Sequence, residues 1–186
     1  MSDSLIQKGH ILLAEPALTG DVSFSRAVIL IAAHNPKGSV GFILNKPLTY
    51  TLDELIEDIN YPFPVFNGGP VEQDNIYFIH TAPEVIPGSI EISDGIYWGG
   101  DFNALVEALE QELISENQVK FFLGYTGWSQ EQLYGEIKSN SWITVNDIDI
   151  KTLIKQQNKS LWKDRIKALG GNYLIWSNTP ENPSLN

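Results

Sequence analysis

The chain has 186 residues, of which 42% are hydrophobic and 19% are charged, and this composition is typical of a folded globular protein rather than a disordered one. It contains no cysteine, which excludes disulfides and thiolate chemistry. The formal net charge is −11, and residues 51–150 hold 18 acidic and two basic side chains, so this region repels the phosphate backbone of a nucleic acid.

The sequence indicates neither a signal peptide nor a transmembrane helix. Residues 1–10 lack the apolar segment of a signal peptide. The longest apolar run, residues 27–33, is far shorter than the ~20 residues of a transmembrane helix. We therefore expect a soluble, intracellular protein located in the cytoplasm. No repeat or long linker divides the sequence, so residues 1–186 are predicted to form a single domain.

The first third of the chain predicts a β-hairpin. GHILLAEP is a short extended segment that Pro16 closes, and AVILIAA at 27–33 is a continuous apolar run typical of a strand buried on both faces. The turn signal NPKG at 35–38 leads into SVGFILNKP, a second strand that stops at Pro47. Two strands joined by so short a turn are expected to pair.

The middle of the chain mixes helices with further strands. Thr51 and Glu54 have the spacing of a capping box at the start of a short helix, and YPFPVFNGGP at 61–70 reads as a loop. NIYFIH and GSIEI are strand candidates. Asp101 is predicted to cap a longer helix, FNALVEALEQELIS, whose apolar stripe consists of Phe102, Leu105, Leu109 and Leu113.

The last third continues the same alternation. VKFFLG at 119–124 predicts an interior strand, Ser129 to Gln132 a second capping box, and SWITV a late strand. Two basic helical segments follow; their stretch KQQNKSLWKDRIK favours a helix docked on an acidic neighbour. Gly170-Gly171 ends the second of them, and residues 172–186 are expected to be loose. The order of elements favours the α+β class with a mixed or antiparallel sheet.

The stretch GYTGWSQ invites a catalytic interpretation. A nucleophile elbow needs its nucleophile between two glycines at two-residue spacing, whereas Thr126 adjoins Gly127 directly. An anion cradle at the following helix N-terminus is opposed by Ser129 and by the negative charge of Glu131. We therefore predict a packed strand-to-helix turn, with Trp128 largely buried and Ser129 as the cap.

The histidines and carboxylates do not form a recognisable metal motif. His34 and His80 each end a predicted strand, so they could meet at one edge of the sheet, but no third ligand accompanies them. Asp147 and Asp149 alternate along DIDI in the manner of solvent-exposed residues. We predict no metal, no cofactor and no catalytic residue.

A dispersed set of polar residues is the better candidate site. Arg26 begins the first buried strand, Asn45-Lys46 ends its partner, and Asn67-Gly68-Gly69 is a loop whose backbone could approach a ligand. Arginine and lysine near such loops could hold a carboxylate or a phosphate. Arg26 could equally pair with Asp21 beside the core.

Several stretches also match one family in order and spacing: GHILLAEPAL, FSRAVILIAAH, GSVGFILNKPL, FNGGPV, IYFIH and LGYTGWSQEQLYGEI with the later N and SW. Over residues 8–170 the sequence resembles the YqgE/AlgH family of bacterial proteins. The resemblance implies an α+β domain with a strongly curved, partly barrel-like sheet surrounded by helices.

The resemblance carries over a set of signature positions. They are Pro16, Arg26, His34, Gly41, Asn45, Lys46, Pro47, Gly68, Gly69, Pro70, His80, Gly124, Gly127, Trp128, Gln132, Leu133, Glu136, Asn140 and Trp142. Ala33 departs from the family, because many relatives carry glutamate just before the histidine that matches His34. A mechanism that needs a carboxylate–histidine pair at this point is therefore not expected here.

The function implied by the resemblance is general. The family has been labelled a transcriptional regulator through an association with alginate production, although it has no recognised DNA-binding motif or catalytic set. We expect a non-enzymatic regulatory or binding protein that acts through a small ligand or a protein partner, with no specific nucleic acid and no membrane. The alternatives are a hydrolase or transferase with a site near Arg26, Lys46, Asn67 and His80, or the regulator of the family label. The ligand-binding candidates are Arg26, His34, Asn45, Lys46, Asn67, Gly68, Gly69 and His80.

Overall fold

A computed structural model of the protein describes residues 6–16, 22–146, 149–155 and 160–180. These residues form ten strands and six α-helices. The strands are β1 (Ile11–Ala14), β2 (Val28–Asn35), β3 (Gly38–Ile43), β4 (Pro47–Thr51), β5 (Pro64–Asn67), β6 (Val71–His80), β7 (Ile90–Ser93), β8 (Ile96–Trp98), β9 (Val119–Trp128) and β10 (Trp142–Val145). The helices are α1 (Leu52–Leu55), α2 (Phe102–Glu110), α3 (Gln130–Lys138), α4 (Ile150–Lys155), α5 (Leu161–Leu169) and α6 (Tyr173–Ser177).

The strands form one largely antiparallel sheet in the order β10-β1-β2-β3-β9-β6-β8-β7, and β5 joins it by pairing with β4 and with β9. The β5–β9 pair is parallel, whereas the other strand pairs are antiparallel. The sheet is not closed into a barrel, because among the described strands β10 and β7 lie at its two ends. The predicted α+β class is confirmed.

The two strands predicted to be interior are interior. β2 pairs with β3 in the expected hairpin and with β1 on its other side, and β9 lies between β3 and β6. Side chains of β9 alternate between the two faces: Phe122 belongs to the core cluster that includes Trp162 of α5, and Phe121 belongs to the cluster that includes Leu105 of α2. A strand that is covered on both faces needs a continuous apolar sequence, which is what these segments have.

The strand-to-helix turn predicted at residues 127–130 is shorter than expected, because β9 continues to Trp128 and α3 begins at Gln130. Gly124 has a φ of 70°, and a Cβ on it would lie 2.5 Å from the carbonyl oxygen of Gly69, so glycine is required where two segments cross. Trp128 is 6% exposed, which confirms its predicted burial. Ser129 caps α3 by accepting a hydrogen bond from the amide of Gln132 at 3.1 Å, while the Gln132 side chain turns to Glu136 instead of returning to the cap.

Helix α2 is shorter than predicted. Asp101 caps it as expected, accepting from the amides of Asn103 and Ala104. The helix ends at Glu110, because Glu112 adopts a φ of 55° and the amide of Leu113 returns to the carbonyl of Ala108 at 2.9 Å. These bonds form a Schellman motif, which stops the helix before Leu113 can join its apolar stripe. Leu113 is 56% exposed, so its predicted burial is wrong.

Two segments predicted to be irregular contain regular structure. Within the predicted loop at 61–70, Pro64–Asn67 is strand β5, whose partner β9 lies far along the chain. Within the predicted loose segment at 172–186, Tyr173–Ser177 is helix α6, and its tyrosine and Trp176 meet edge to face with ring centroids 5.2 Å apart. Residues 181–186 lie outside the described residues.

Candidate functional site

Arg26, a residue of the candidate site, has an unusual backbone conformation. It precedes β2 and has a φ of 53°, in the left-handed region that side-chain-bearing residues seldom adopt. The buried side chain of Asn45 holds this conformation in place: its Oδ1 accepts from the amide of Val28 at 2.9 Å, and its Nδ2 donates to the carbonyl of Arg26 at 2.8 Å. Asn45 therefore positions Arg26 rather than offering its own amide to a ligand.

The Arg26 guanidinium is held over an aromatic ring. Its Cζ lies 5.0 Å from the ring centroid of Trp162, a cation–π distance, and its Nη2 donates to the carbonyl of Thr179. Trp162 is itself fixed, being 1% exposed and donating from Nε1 to the carbonyl of Ala14 at 2.9 Å. In the described ranges no carboxylate pairs with Arg26. Asp21, its predicted alternative partner, lies outside the described residues. Asp147, which was predicted to be exposed to solvent, lies outside them as well.

Lys46 and Asn67 come from neighbouring segments. The amide of Asn67 donates to the carbonyl of Lys46 at 2.8 Å, which places the two residues side by side where β4 and β5 pair. The Lys46 ammonium donates to the carbonyl of Ser25. The side-chain Oδ1 of Asn67 accepts from the amide of Gly69 at 3.1 Å and so shapes the loop that follows.

These residues open onto a cavity of about 370 Å³, which we call the Arg26 cleft. Its polar lining is Arg26, Asn45, Lys46, Asn67, Ser160 and Lys163, with Trp162 as the aromatic wall. Among the described lining residues three side chains are cations and none is a carboxylate, although the protein as a whole is acidic. Asp164, which follows Lys163 on α5, accepts a hydrogen bond from the Ser160 hydroxyl at 2.8 Å. A cleft with this lining attracts an anion.

The two candidate glycines contact β9. A Cβ on Gly68 would lie 2.2 Å from the carbonyl oxygen of Gly124, and one on Gly69 would lie 2.2 Å from that of Tyr125. The close backbone approach predicted for this loop is therefore an approach to a neighbouring strand, and packing alone requires glycine at both positions.

His34 and His80 lie at opposite ends of the sheet, so the expectation that they could meet at one edge is wrong. Three antiparallel pairings separate β2 from β6, which reverses the direction of β6 relative to β2. His34 contacts Ser39, with Nδ1 and Oγ 2.8 Å apart, and its ring meets Tyr134 edge to face. Neither histidine lines the Arg26 cleft.

His80 is enclosed in the protein. Its Nδ1 accepts from the amide of Ala82 at 3.2 Å, and its Nε2 donates to the carbonyl of Gly99 at 3.1 Å, which fixes the neutral tautomer. Burial lowers the pKa of His80 below its ordinary value. Burial also lowers the pKa of His10, and the nearby His34 lowers it further. Among the described residues, no group of three or more histidine, aspartate or glutamate side chains could hold a metal ion.

Sequence reasoning found Arg26, Asn45, Lys46 and Asn67 but missed the contribution of α5. Trp162 and Lys163 lie more than 90 residues beyond Asn67, and their stretch was expected to dock on an acidic neighbour. The signal available in the sequence was a tryptophan directly before a lysine in a basic helix. Among the helices in the described ranges, none is long and apolar enough to cross a membrane.

The chain is similar to known proteins over nearly its whole length. The AlgH-like family model matches residues 11–174. The UPF0301 protein BF2109 of Bacteroides fragilis is 40% identical over 181 residues, covering 96% of this chain and 91% of its own. A UPF0301 protein of Cytophaga hutchinsonii is 37% identical over 184 residues, covering 98% and 100%.

Two solved structures have a similar fold. The crystal structure of DIP2367 from Corynebacterium diphtheriae matches with a TM-score of 0.77 at 17% identity, covering 94% of this chain and 93% of that one, and this likeness concerns the fold alone. The solution structure of the AlgH protein from Pseudomonas aeruginosa matches with a TM-score of 0.72 at 25% identity, covering 93% and 94%. The resemblance found in the sequence is confirmed, and the chain belongs to the AlgH-like family.

Proposed function

We propose that the protein is a non-enzymatic binding protein of the cytoplasm, and that it takes a small anionic ligand in the Arg26 cleft. The ligand class is a carboxylate or a phosphate. The observation that carries the proposal is the lining of the cleft, where Arg26 and Lys46 of the hairpin meet Lys163 of α5, with no carboxylate among the described lining residues. An anion bound at this point would interact favourably with all three cations.

The guanidinium is well prepared for such a ligand. The Trp162 ring and the Thr179 carbonyl restrict its orientation, and Asn45 fixes the backbone from which it projects. An arginine held in one plane loses little entropy on binding and can offer two parallel N–H donors to a carboxylate or phosphate. Asn67 and Ser160 add polar groups that can distinguish one anion from another.

The two alternatives have weaker support. The hydrolase or transferase alternative grouped His80 with Arg26, Lys46 and Asn67, but His80 donates to Gly99 on another part of the sheet, so that set lacks its general base. The regulator of the family label would need a DNA-binding surface. Residues 51–150 carry 18 acidic and two basic side chains, and we expect no sequence-selective retention of duplex DNA at physiological salt.

The proposal is tested by isothermal titration with inorganic phosphate, inorganic pyrophosphate and citrate. We expect at least one of these anions to bind, and Lys163→Gln to weaken it about tenfold, since a charge-assisted hydrogen bond is lost. Lys167→Gln is the matched control, because Lys167 is an exposed lysine on the same helix outside the cleft. Arg26→Lys keeps the charge but removes the fork and is expected to weaken binding as well.

Equal affinity of Lys163→Gln and Lys167→Gln for the anion would contradict the proposal. So would the absence of heat and of a thermal shift with all three anions. Circular dichroism and melting temperature of each variant report whether the fold is intact, so a loss of binding can be assigned to the cleft.

A further inference from the structure

A second cavity, of about 470 Å³, lies at the free edge of β6 and shares no lining residue with the Arg26 cleft. We call it the Phe102 groove. Its lining is largely apolar and comes from Ile56, Ile76, Tyr77, Phe78, Trp98, Gly99, Gly100 and Phe102. Phe78 and Phe102 form one wall, with ring centroids 6.0 Å apart.

The groove borders an unpaired stretch of sheet. Strand β8 pairs with β6 only at Ile79 and His80, and the amide of Gly99 adds one bond to the carbonyl of Phe78 at 3.0 Å before the chain turns away. The main chain of Phe78 therefore faces β8. Residues two apart in a strand face the same side, so the amide and carbonyl of Ile76 point to where β8 has already ended.

The pairing of β9 gives the same orientation for Ile76. Ile76 stands opposite Leu123, whose carbonyl accepts from the amide of Gly68 at 2.8 Å and therefore faces β5. Because the main-chain groups of Leu123 point towards β5, they form no hydrogen bonds with β6. The amide and carbonyl of Ile76 are therefore not bonded to β9. No described loop bonds to them either. One donor and one acceptor of β6 are thus left at the mouth of the groove.

Apart from His80, every ionisable side chain in the part of the chain that supplies the lining of the groove is acidic or a tyrosine. Residues 47–119, which supply every lining residue, contain 14 acidic side chains and no lysine or arginine. Glu57 and Asp58 follow Ile56, and Asp101 precedes Phe102. All three are exposed, and in the described part of the chain none of them makes an ion pair. A cationic partner is attracted by this potential and an anionic one is repelled.

We propose that the Phe102 groove binds an extended, basic segment of a partner protein, which adds a strand to β6 at Ile76 and inserts an apolar side chain into the groove. An extended backbone fits this edge, because a strand presents a donor and an acceptor at the right spacing, whereas the backbone groups of a helix are bonded within the helix. The apolar lining selects the inserted side chain.

The probe is a fluorescein-labelled peptide of sequence Lys-Val-Lys-Phe-Lys-Val-Lys, with capped ends. We expect it to bind, as followed by fluorescence anisotropy, and to bind at least about tenfold more tightly than its counterpart in which glutamate replaces each lysine. Raising the salt concentration should weaken the basic peptide. In NMR spectra of the isotope-labelled protein, hydrogen exchange of the Ile76 amide should slow when the peptide binds.

Strand addition is tested separately from charge. Two further peptides carry N-methyl groups, one on every odd residue and one on every even residue. Because alternate amides of a strand point to opposite sides, one pattern should abolish binding while the other preserves it. Equal binding of both patterns would overturn the strand geometry.

The acidic rim is tested with paired variants of the protein. Glu57→Lys/Asp58→Lys should lower the affinity for the basic peptide about tenfold or more. Glu110→Lys/Glu131→Lys changes the net charge equally and should lower this affinity far less. Glu110 is eight residues beyond Phe102 on α2, roughly 12 Å along the helix, and Glu131 is on α3. Equal effects of the two double variants, or an Ile76 amide that stays unprotected at saturation, would overturn the proposal. So would self-association of the protein through the groove, seen by sedimentation and lost in Glu57→Lys/Asp58→Lys.

Discussion

Trp128 and Trp142 meet edge to face, with ring centroids 6.1 Å apart and ring planes at 90°, and both indole nitrogens donate to the same oxygen of Glu136. The distances to Oε2 are 2.9 Å from Trp128 and 2.7 Å from Trp142. The other oxygen accepts from Gln132 at 3.0 Å. One carboxylate therefore joins the end of β9, the start of β10 and the helix between them.

Replacing Glu136 should lower the free energy of unfolding by an amount that depends on how many hydrogen bonds the new side chain can accept. Glu136→Ala leaves two buried indole donors without an acceptor and should cost about 2–4 kcal/mol of unfolding free energy in urea denaturation. Glu136→Gln keeps one carbonyl oxygen and should cost about half as much. Glu131→Ala, on the exposed face of the same helix, is the control. Equal losses for alanine and glutamine would contradict the shared-acceptor account.

Three variants of the GYTGWSQ stretch should separate packing from chemistry. Trp128→Ala removes a buried indole and should cost ~3–5 kcal/mol, whereas Ser129→Ala loses one capping bond and should cost about 1. Thr126 is fully buried, and its hydroxyl has no partner among the described residues, so Thr126→Val should be neutral or stabilise by up to about 1 kcal/mol. Thermal melts rank the three, and a large loss for Thr126→Val would refute this assignment.

His80 should make the protein sensitive to mild acid. Its pKa is lowered in the folded state, so below the unfolded value of 6.5 the unfolded chain binds a proton that the folded chain resists. The free energy of unfolding should then fall by about 1 kcal/mol for each pH unit below 6.5, until the lowered pKa is reached. Urea denaturation between about pH 5 and pH 8 measures the slope. In His80→Asn the slope should flatten, and His10→Asn reports the separate contribution of the other histidine with a lowered pKa.

Lys120 should act at the other end of the pH range. It is 3% exposed, its Nζ lies 3.8 Å from the ring centroid of Phe66, and burial lowers its pKa to about 7 from 10.5. Between these values the unfolded state holds the proton more firmly, so the free energy of unfolding should rise with pH. From pH 7 to about pH 9 we expect a gain of roughly 1–2 kcal/mol in the wild type, absent in Lys120→Met. Lys138→Met, an exposed site, should keep the gain.

Glu112 is a position at which glycine should raise the free energy of unfolding. It has a φ of 55° at the end of α2, in the Schellman motif that the amide of Leu113 closes. Glycine adopts this conformation without the steric cost of a Cβ, so Glu112→Gly should stabilise the protein by about 0.5–1 kcal/mol. Glu110→Gly, inside the same helix, should destabilise by a similar amount. Chemical denaturation of the two variants checks the opposite signs.

The parts of the fold that follow from local patterns were predictable. The apolar runs of β2 and β9 mark strands covered on both faces, and the cap at Asp101 follows from side-chain chemistry within one turn of helix. Strand β5 was not predictable, because its pairing with β9 joins segments more than 50 residues apart. The end of α2 was missed because a glutamate, rather than a glycine, adopts the left-handed conformation there.

The candidate site shows the same division. Arg26, Asn45 and Lys46 belong to the ends of one hairpin, so their proximity follows from the pairing of β2 with β3. Trp162 reaches them through tertiary packing that no local pattern encodes. Whether the ends of two strands meet depends on how many antiparallel pairings separate the strands. Three such pairings separate β2 from β6, and they place His34 and His80 at opposite ends of the sheet.

Strand β9 pairs with β3, β5 and β6, so three earlier segments depend on a strand that follows them in the chain. During translation the ribosome must synthesise residue 123 before the pairing with β5 can be completed, residue 125 before the pairing with β6 and residue 128 before the pairing with β3. Until then the apolar segments of β3 and β6 each have an unsatisfied edge, which is the kind of surface that nascent-chain chaperones cover. Because β9 is synthesised late, the hairpin of β2 and β3 lacks the strand that covers the free edge of β3 until β9 has emerged, and this edge is a site for aggregation during synthesis.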